Sequence, residues 1–210
     1  MNEVYEVMKK YGKFMAGLDY PVGNARLVQM TSEGVFSTVD GCDLSDLKEE
    51  DIIRLPGDTM PVPCGDMKAL VYSQTPYCME WIRRGRSFDA ALDDMAQIFG
   101  PTALVVDVRP ENTCRDKDIK KALKDNVGFL AVTQKGENGE NTGQTLTFGR
   151  SLYEAVVAMT VIEKSAEVSV LAEKIGGPHP IARWEAKLMR LIYKKKYSKA
   201  EEAVKTREVG

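Results

Sequence analysis

From Ser151 to Gly176-Gly177-Pro178 the chain carries one long helical pattern, in which Leu152, Ala155, Val156, Met159, Ile162, Ala166, Val170 and Leu171 sustain an apolar stripe. A stripe of that length must be buried against something, and the sequence before it consists mainly of short β-prone runs. Ser151 is a suitable N-cap, and the paired glycines and proline stop the helix.

The β-prone runs are irregularly mixed with helices. Val4, Val7, Met8, Tyr11, Phe14 and Met15 lie on one helical face, with Gly17 as the stop. Leu27 to Met30 and Val35 to Val39, separated by Ser32-Glu33-Gly34, read as a hairpin. An acidic helical turn over 44–51 feeds a strand from Ile52 to Leu55, and Lys68 to Ser73 is a buried strand. Tyr77 to Arg84 reads as helix, and Ser87 as the cap of another helix whose stripe is Phe88, Ala91, Leu92, Met95, Ala96 and Phe99. Strands follow at Ala103 to Val108 and Gly128 to Thr133, flanking a short helix at Asp116 to Lys124. Gln134 to Gln144, with Gly136, Gly139 and Gly143, reads as a mobile loop before the β-prone Thr145 to Phe148. The last helix runs from about Pro180 or Ile181 past Tyr193, and its Lys187, Arg190, Lys194, Lys195, Lys196 and Lys199 read as a solvated face. This order predicts a three-layer αβα fold with a mixed, largely antiparallel central sheet, as a single domain over 1–210.

Composition narrows the function classes. Twenty-nine basic residues against 31 acidic give no field for nucleic acid or membrane. No apolar run reaches the roughly 20 residues of a membrane span, and the charged segment Met1 to Met15 lacks the apolar centre of a signal peptide, so the expected compartment is the cytoplasm. Cys42, Cys64, Cys78 and Cys114 form no C-x-x-C pair. The only histidine, His179, sits between two prolines in a turn, and nothing in the sequence places a nucleophile beside it.

Several segments, in order, resemble the class II aldolase/adducin family. They are Gly23-Asn24-Ala25-Arg26-Leu27-Val28, then Gly34 to Gly41, then Leu47-Lys48-Glu49-Glu50-Asp51-Ile52, similar to that family's Leu-Thr-Pro-Glu-Asp-Leu/Ile turn. Leu70-Val71-Tyr72-Ser73-Gln74-Thr75-Pro76-Tyr77 resembles its Val-Val-His-Thr-His-Ser-Pro-Tyr. Phe148 to Ala155, with Ile162-Glu163-Lys164-Ser165-Ala166-Glu167, is similar to its Leu-x-Glu-Ala…Leu-Glu-x-x-Ala-Glu helix.

The resemblance implies a fold, and for the family a divalent metal, commonly zinc, that stabilises an enediolate during retro-aldol cleavage. The family's H-x-H pair is here Tyr72 and Gln74, and its third histidine falls near Gln134. Neutral amide oxygens are poor zinc ligands, so no metal or other cofactor is expected unless a site is rebuilt from Cys64, Asp66, Cys78 and His179. Where the family's Ser-Gly peptide binds a substrate phosphate, this chain has Asp40-Gly41; the carboxylate can accept the turn's own N–H groups and repel a phosphate unless Arg26 offsets it.

The resemblance therefore points to a former active-site cavity formed by Gly23, Asn24, Asp40, Gly41, Tyr72, Gln74, Tyr77 and Gln134, serving binding or assembly rather than zinc-dependent aldol cleavage. A small polar carbonyl or sugar-like molecule is the implied ligand, and a homo-oligomer, as a tetramer, the implied assembly. The alternative is a sugar or sugar-phosphate aldolase or lyase with a rebuilt metal site. A structural partner subunit is a third reading.

Overall fold

The computed structural model describes residues 2–57, 60, 62 and 65–208, with side chains through Lys196. In chain order the elements are α1 (Asn2–Ala16), β1 (Arg26–Thr31), β2 (Gly34–Thr38), β3 (Ile52–Arg54), β4 (Ala69–Ser73), α2 (Pro76–Arg84), β5 (Phe88–Asp89), β6 (Thr102–Ala103), β7 (Val105–Asp107), α3 (Arg115–Leu123), β8 (Gly128–Lys135), β9 (Asn141–Gly149), α4 (Leu152–Glu173) and α5 (Arg183–Glu208). Seven strands form one sheet in the order β3-β2-β1-β4-β9-β8-β7, antiparallel throughout except for the parallel β7–β8 pair. The mixed, largely antiparallel sheet expected from the sequence is present.

Strand alternation divides the core between the two faces of this sheet. Ala69 and Val71 point to the side of α1 and α4, while Leu70 and Tyr72 point to the side of α3. On β8, Leu130 and Val132 join the cluster around α2 and α4, while Phe129 and Ala131 join that of α3. Helix α4 is capped by Ser151, whose side chain accepts from the Glu154 N–H, and Ala155, Val156, Met159, Ile162 and Ala166 are buried along it. The long stripe thus spans the middle of the sheet, touching both clusters on that face.

Two expectations of element type fail. Ser87 caps no helix: its Oγ accepts from the Val105 N–H at 2.9 Å. Phe88 and Asp89 instead pair with Ala103 and Thr102 in a two-stranded ribbon, and only the wide π-helical turn Met95–Phe99 remains of the expected helix. The Phe88 ring lies 4.8 Å from Trp81, centroid to centroid, and Phe88, Met95, Ala96 and Phe99 are all buried. Burial was legible there, but tertiary pairing overrode the helical period.

The glycine-rich stretch is also more ordered than its composition implies. β8 extends to Lys135 and β9 starts at Asn141, so the reversal occupies only residues 136–140. The register runs on through Val132↔Gly143 and Gln134↔Thr142, with a bulge between Val132 and Gln134. At Gly143 an added Cβ would lie 1.8 Å from the Ala131 carbonyl oxygen, so this glycine lets the two backbones close up. Nor is the basic face of α5 wholly solvated. Arg190 is only 7% exposed, and Lys187 pairs with Asp125 at 2.7 Å. The Lys199 side chain lies outside the described residues.

Candidate functional site

The end of β4 and the loop before β1 are stitched together by backbone and side chain. The Gln74 N–H donates to the Val22 carbonyl at 2.8 Å. Gln74 Oε1 accepts from the Asn24 N–H at 3.4 Å, and its Nε2 donates to the Gly143 carbonyl at 3.0 Å. Gly23 is in the left-handed region at φ +65°, and a Cβ there would meet Gln74 Cβ at 2.5 Å. Both ends of the Gln74 amide are therefore engaged.

The contacts continue to the next loop. Asn24 Oδ1 accepts from the Gly41 N–H at 3.0 Å, and Asp40 Oδ1 accepts from Arg26 Nη1 at 3.3 Å. The expected arrangement, with Asp40 accepting its own turn's N–H groups, is replaced: Asn24 takes the Gly41 donor and Arg26 takes the carboxylate. Arg26 and Tyr72 are register partners on β1 and β4, so their side chains share a face, and the guanidinium lies 4.3 Å from the Tyr72 ring centroid.

Six of the eight residues expected from the sequence, Gly23, Asn24, Asp40, Gly41, Tyr72 and Gln74, thus belong to one chain of contacts, in which Arg26 links Asp40 to Tyr72. Tyr77 and Gln134 take no part in it. Tyr77 lies on the first turn of α2 and packs against the core of the opposite face. Its N–H and that of Cys78 donate to the two carboxylate oxygens of Glu163, at 2.8 and 2.9 Å. Gln134 is exposed on β8 opposite Thr142. Because Thr142, Gln144 and Leu146 alternate onto one face, and Leu146 pairs with Tyr72, Gln134 shares the Tyr72 face without reaching the contact chain.

On that face a cavity of about 290 Å³ lies between the sheet and α3. Tyr72, Phe129 and Gln144 form its floor, and Arg115, Asp116 and Ile119 of α3 its wall. Of the expected residues only Tyr72 lines it. Gln144, Arg115 and Asp116 were missed by sequence reasoning. Gln144 was legible in principle, since it is two residues from Leu146 on one strand; the α3 residues depend on tertiary docking.

These residues do not fit a zinc ion. Tyr72 is covered by a guanidinium, whose charge repels a second cation, and both polar atoms of the Gln74 side chain already have partners. The described members of the alternative ligand set, Asp66, Cys78 and His179, do not come together either. Cys78 is fully buried in the core of the α2–α4 face, His179 is exposed after α4, Asp66 is exposed before β4, and Cys64 lies outside the described residues. Among the described residues no three His, Cys, Asp or Glu side chains form a metal-holding group. No helix among them is long and apolar enough to cross a membrane.

No family model matches the sequence, and no curated protein matches it. Solved structures do. An L-fuculose 1-phosphate aldolase is 19% identical with a TM-score of 0.73, over 92% of this chain and 97% of that one. An L-fuculose-1-phosphate aldolase from Thermus thermophilus is 17% identical with a TM-score of 0.60, over 85% of this chain and 100% of that one. An aldolase II superfamily protein from Pseudomonas syringae is 12% identical with a TM-score of 0.58, over 90% and 84%. Identities this low establish architecture alone, and the architecture of this chain is the class II aldolase fold.

Proposed function

We propose that this chain uses the class II aldolase fold to bind a small neutral polyhydroxylated or carbonyl compound without metal, as a homo-oligomer, for which the resemblance implies a tetramer. The observation that carries the reading is the Arg26 guanidinium held over Tyr72 by Asp40. It supplies fixed positive charge and hydrogen-bond donors beside residues that replace the family's histidines. The adjoining cavity is near the lower end of the sizes that hold small ligands, and it mixes the Phe129 and Ile119 surfaces with the Gln144 amide and the Tyr72 ring. Hydroxyl and carbonyl groups can exchange hydrogen bonds with such a lining at little desolvation cost. A carbanion intermediate would need a stronger electrophile than one guanidinium already paired with a carboxylate, so carbon–carbon cleavage is not part of this reading.

Phosphate recognition is disfavoured twice. The Gly41 N–H, which in the family's loop would serve an anion, is taken by Asn24 Oδ1. Asp40, 71% exposed, adds a like charge whose repulsion is partly screened by solvent. Calorimetric titration with a ketose and its 1-phosphate tests the proposal. We expect the free sugar to bind more tightly, and Asp40→Ser to narrow the gap by a factor of about three to ten. Tighter binding of the phosphate by the unaltered protein would sink it.

A further inference from the structure

A second cavity, of about 320 Å³, opens at the opposite end of the strands, where Phe148 lies next to the end of β9 and Val127 precedes β8. Helices α4 and α5 close it with Val157 and Arg190, and Ile98 adds to the apolar wall. Arg190 is the unusual member. It is 7% exposed, and among the described residues no carboxylate forms an ion pair with it. Nη1 donates to the Gln97 and Ile98 carbonyls at 2.6 Å each, while Nε, shut off from solvent, has no hydrogen-bond partner among the described residues.

Two carbonyl dipoles at the end of the Met95–Phe99 turn offset only part of a full charge. Buried charges are ordinarily paired, because a lone ion in an apolar setting carries a desolvation cost of several kcal/mol. The nearby Glu154 favours the Arg190 charge through space but makes no ion pair with it, being engaged by Arg150, with Oε1 accepting from Nη2 at 2.7 Å and Oε2 from Nε at 3.3 Å. Arg150, Lys194, Glu154 and Asp66 also line the cavity, and both of these cations have interactions of their own. A cavity with apolar walls and, at its edge, a buried guanidinium with no carboxylate partner among the described residues matches a monoanion with an apolar body.

We infer that this cavity is a binding site for a small organic carboxylate, with Arg190 as its counter-ion, separate from the residues around Tyr72. Inorganic phosphate, more highly charged and without an apolar portion, fits it less well. The site is independent of the proposed sugar-like ligand, since it shares none of that region's residues.

The test is calorimetric titration of the full chain with 3-phenylpropionate, with its amide, which has the same shape and no charge, and with inorganic phosphate. We expect the acid to bind at least about tenfold more tightly than the amide or phosphate, and Arg190→Met to remove that preference. Val157→Phe, which fills the cavity and leaves the arginine in place, should weaken the acid by a similar factor and covers the case in which Arg190→Met does not fold. Equal binding of acid and amide would overturn the assignment. So would acid binding unchanged by Val157→Phe, or no acid binding at about 10 mM, a concentration that already allows for very weak affinity.

Discussion

The corner where β4 gives way to α2 is held from its two sides by different means. On the α4 side, Glu163 is 2% exposed and spends both carboxylate oxygens on the Tyr77 and Cys78 N–H groups. These are two of the donors that every helix start leaves unpaired, and Thr75 at the N-cap makes no side-chain cap of its own. On the α3 side, the corner is tied by Gln74, Asn24 and the partly exposed Arg26–Asp40 pair. The first arrangement is buried, charged and fully satisfied. The second is longer in reach, wetter, and individually weak. A fold can therefore keep its frame while the residues facing the cavity change, because the frame is bonded from the other side.

Replacing Glu163 should break the comparison most severely. Glu163→Ala strands two buried N–H groups and leaves a hole, at about 3 kcal/mol, or roughly 6–12 °C in melting temperature for a chain of this size. Glu163→Gln keeps one acceptor and should lie between. Calorimetry on the three proteins checks the order; equal melting points would show that the helix start is held by something else.

Alkali should loosen the same side next. Burial, reinforced by the neighbouring Glu163 charge, raises the Cys78 thiol well above its usual value, and burial lifts Tyr20 to about 12. Both are raised in the folded chain, so their contribution is intact below the unfolded values, about 8.5 and 10, and declines as pH rises from there through the folded values. Urea midpoints should fall above about pH 9, and Cys78→Ser should remove the earliest part of that fall. A midpoint independent of pH over this window would contradict the assignment.

The open side should answer differently. Arg26→Met is expected to change stability by less than about 1 kcal/mol, since the pair is solvent-screened. The same change should weaken the sugar-like ligand about tenfold in titration. A large loss of stability would mean that Arg26 belongs to the frame rather than to the site.

The two sides also differed in how much the sequence revealed. The Leu152 to Leu171 stripe and the strand runs carried the fold, because periodicity reports burial whatever the partner. Asn24, Gln74 and Asp40 were found through motif order, which locates positions but not hydrogen bonds. Hence Asp40 was matched with its own turn, although the strand partnership of Arg26 and Tyr72 brings the arginine to it. Phe88 to Phe99 misled because its period was helical while its first two residues were claimed by a ribbon. Arg190 read as solvated because its partners, the Gln97 and Ile98 carbonyls, lie more than 90 residues away in sequence.

Zinc content measures the central claim most directly. After dialysis against a trace of zinc, elemental analysis of the purified protein should find no stoichiometric metal, because Tyr72 lies under a guanidinium and both polar atoms of the Gln74 side chain already have partners. One zinc per chain, lost on replacing Cys64, Cys78 or His179, would contradict it and restore a metal-dependent lyase.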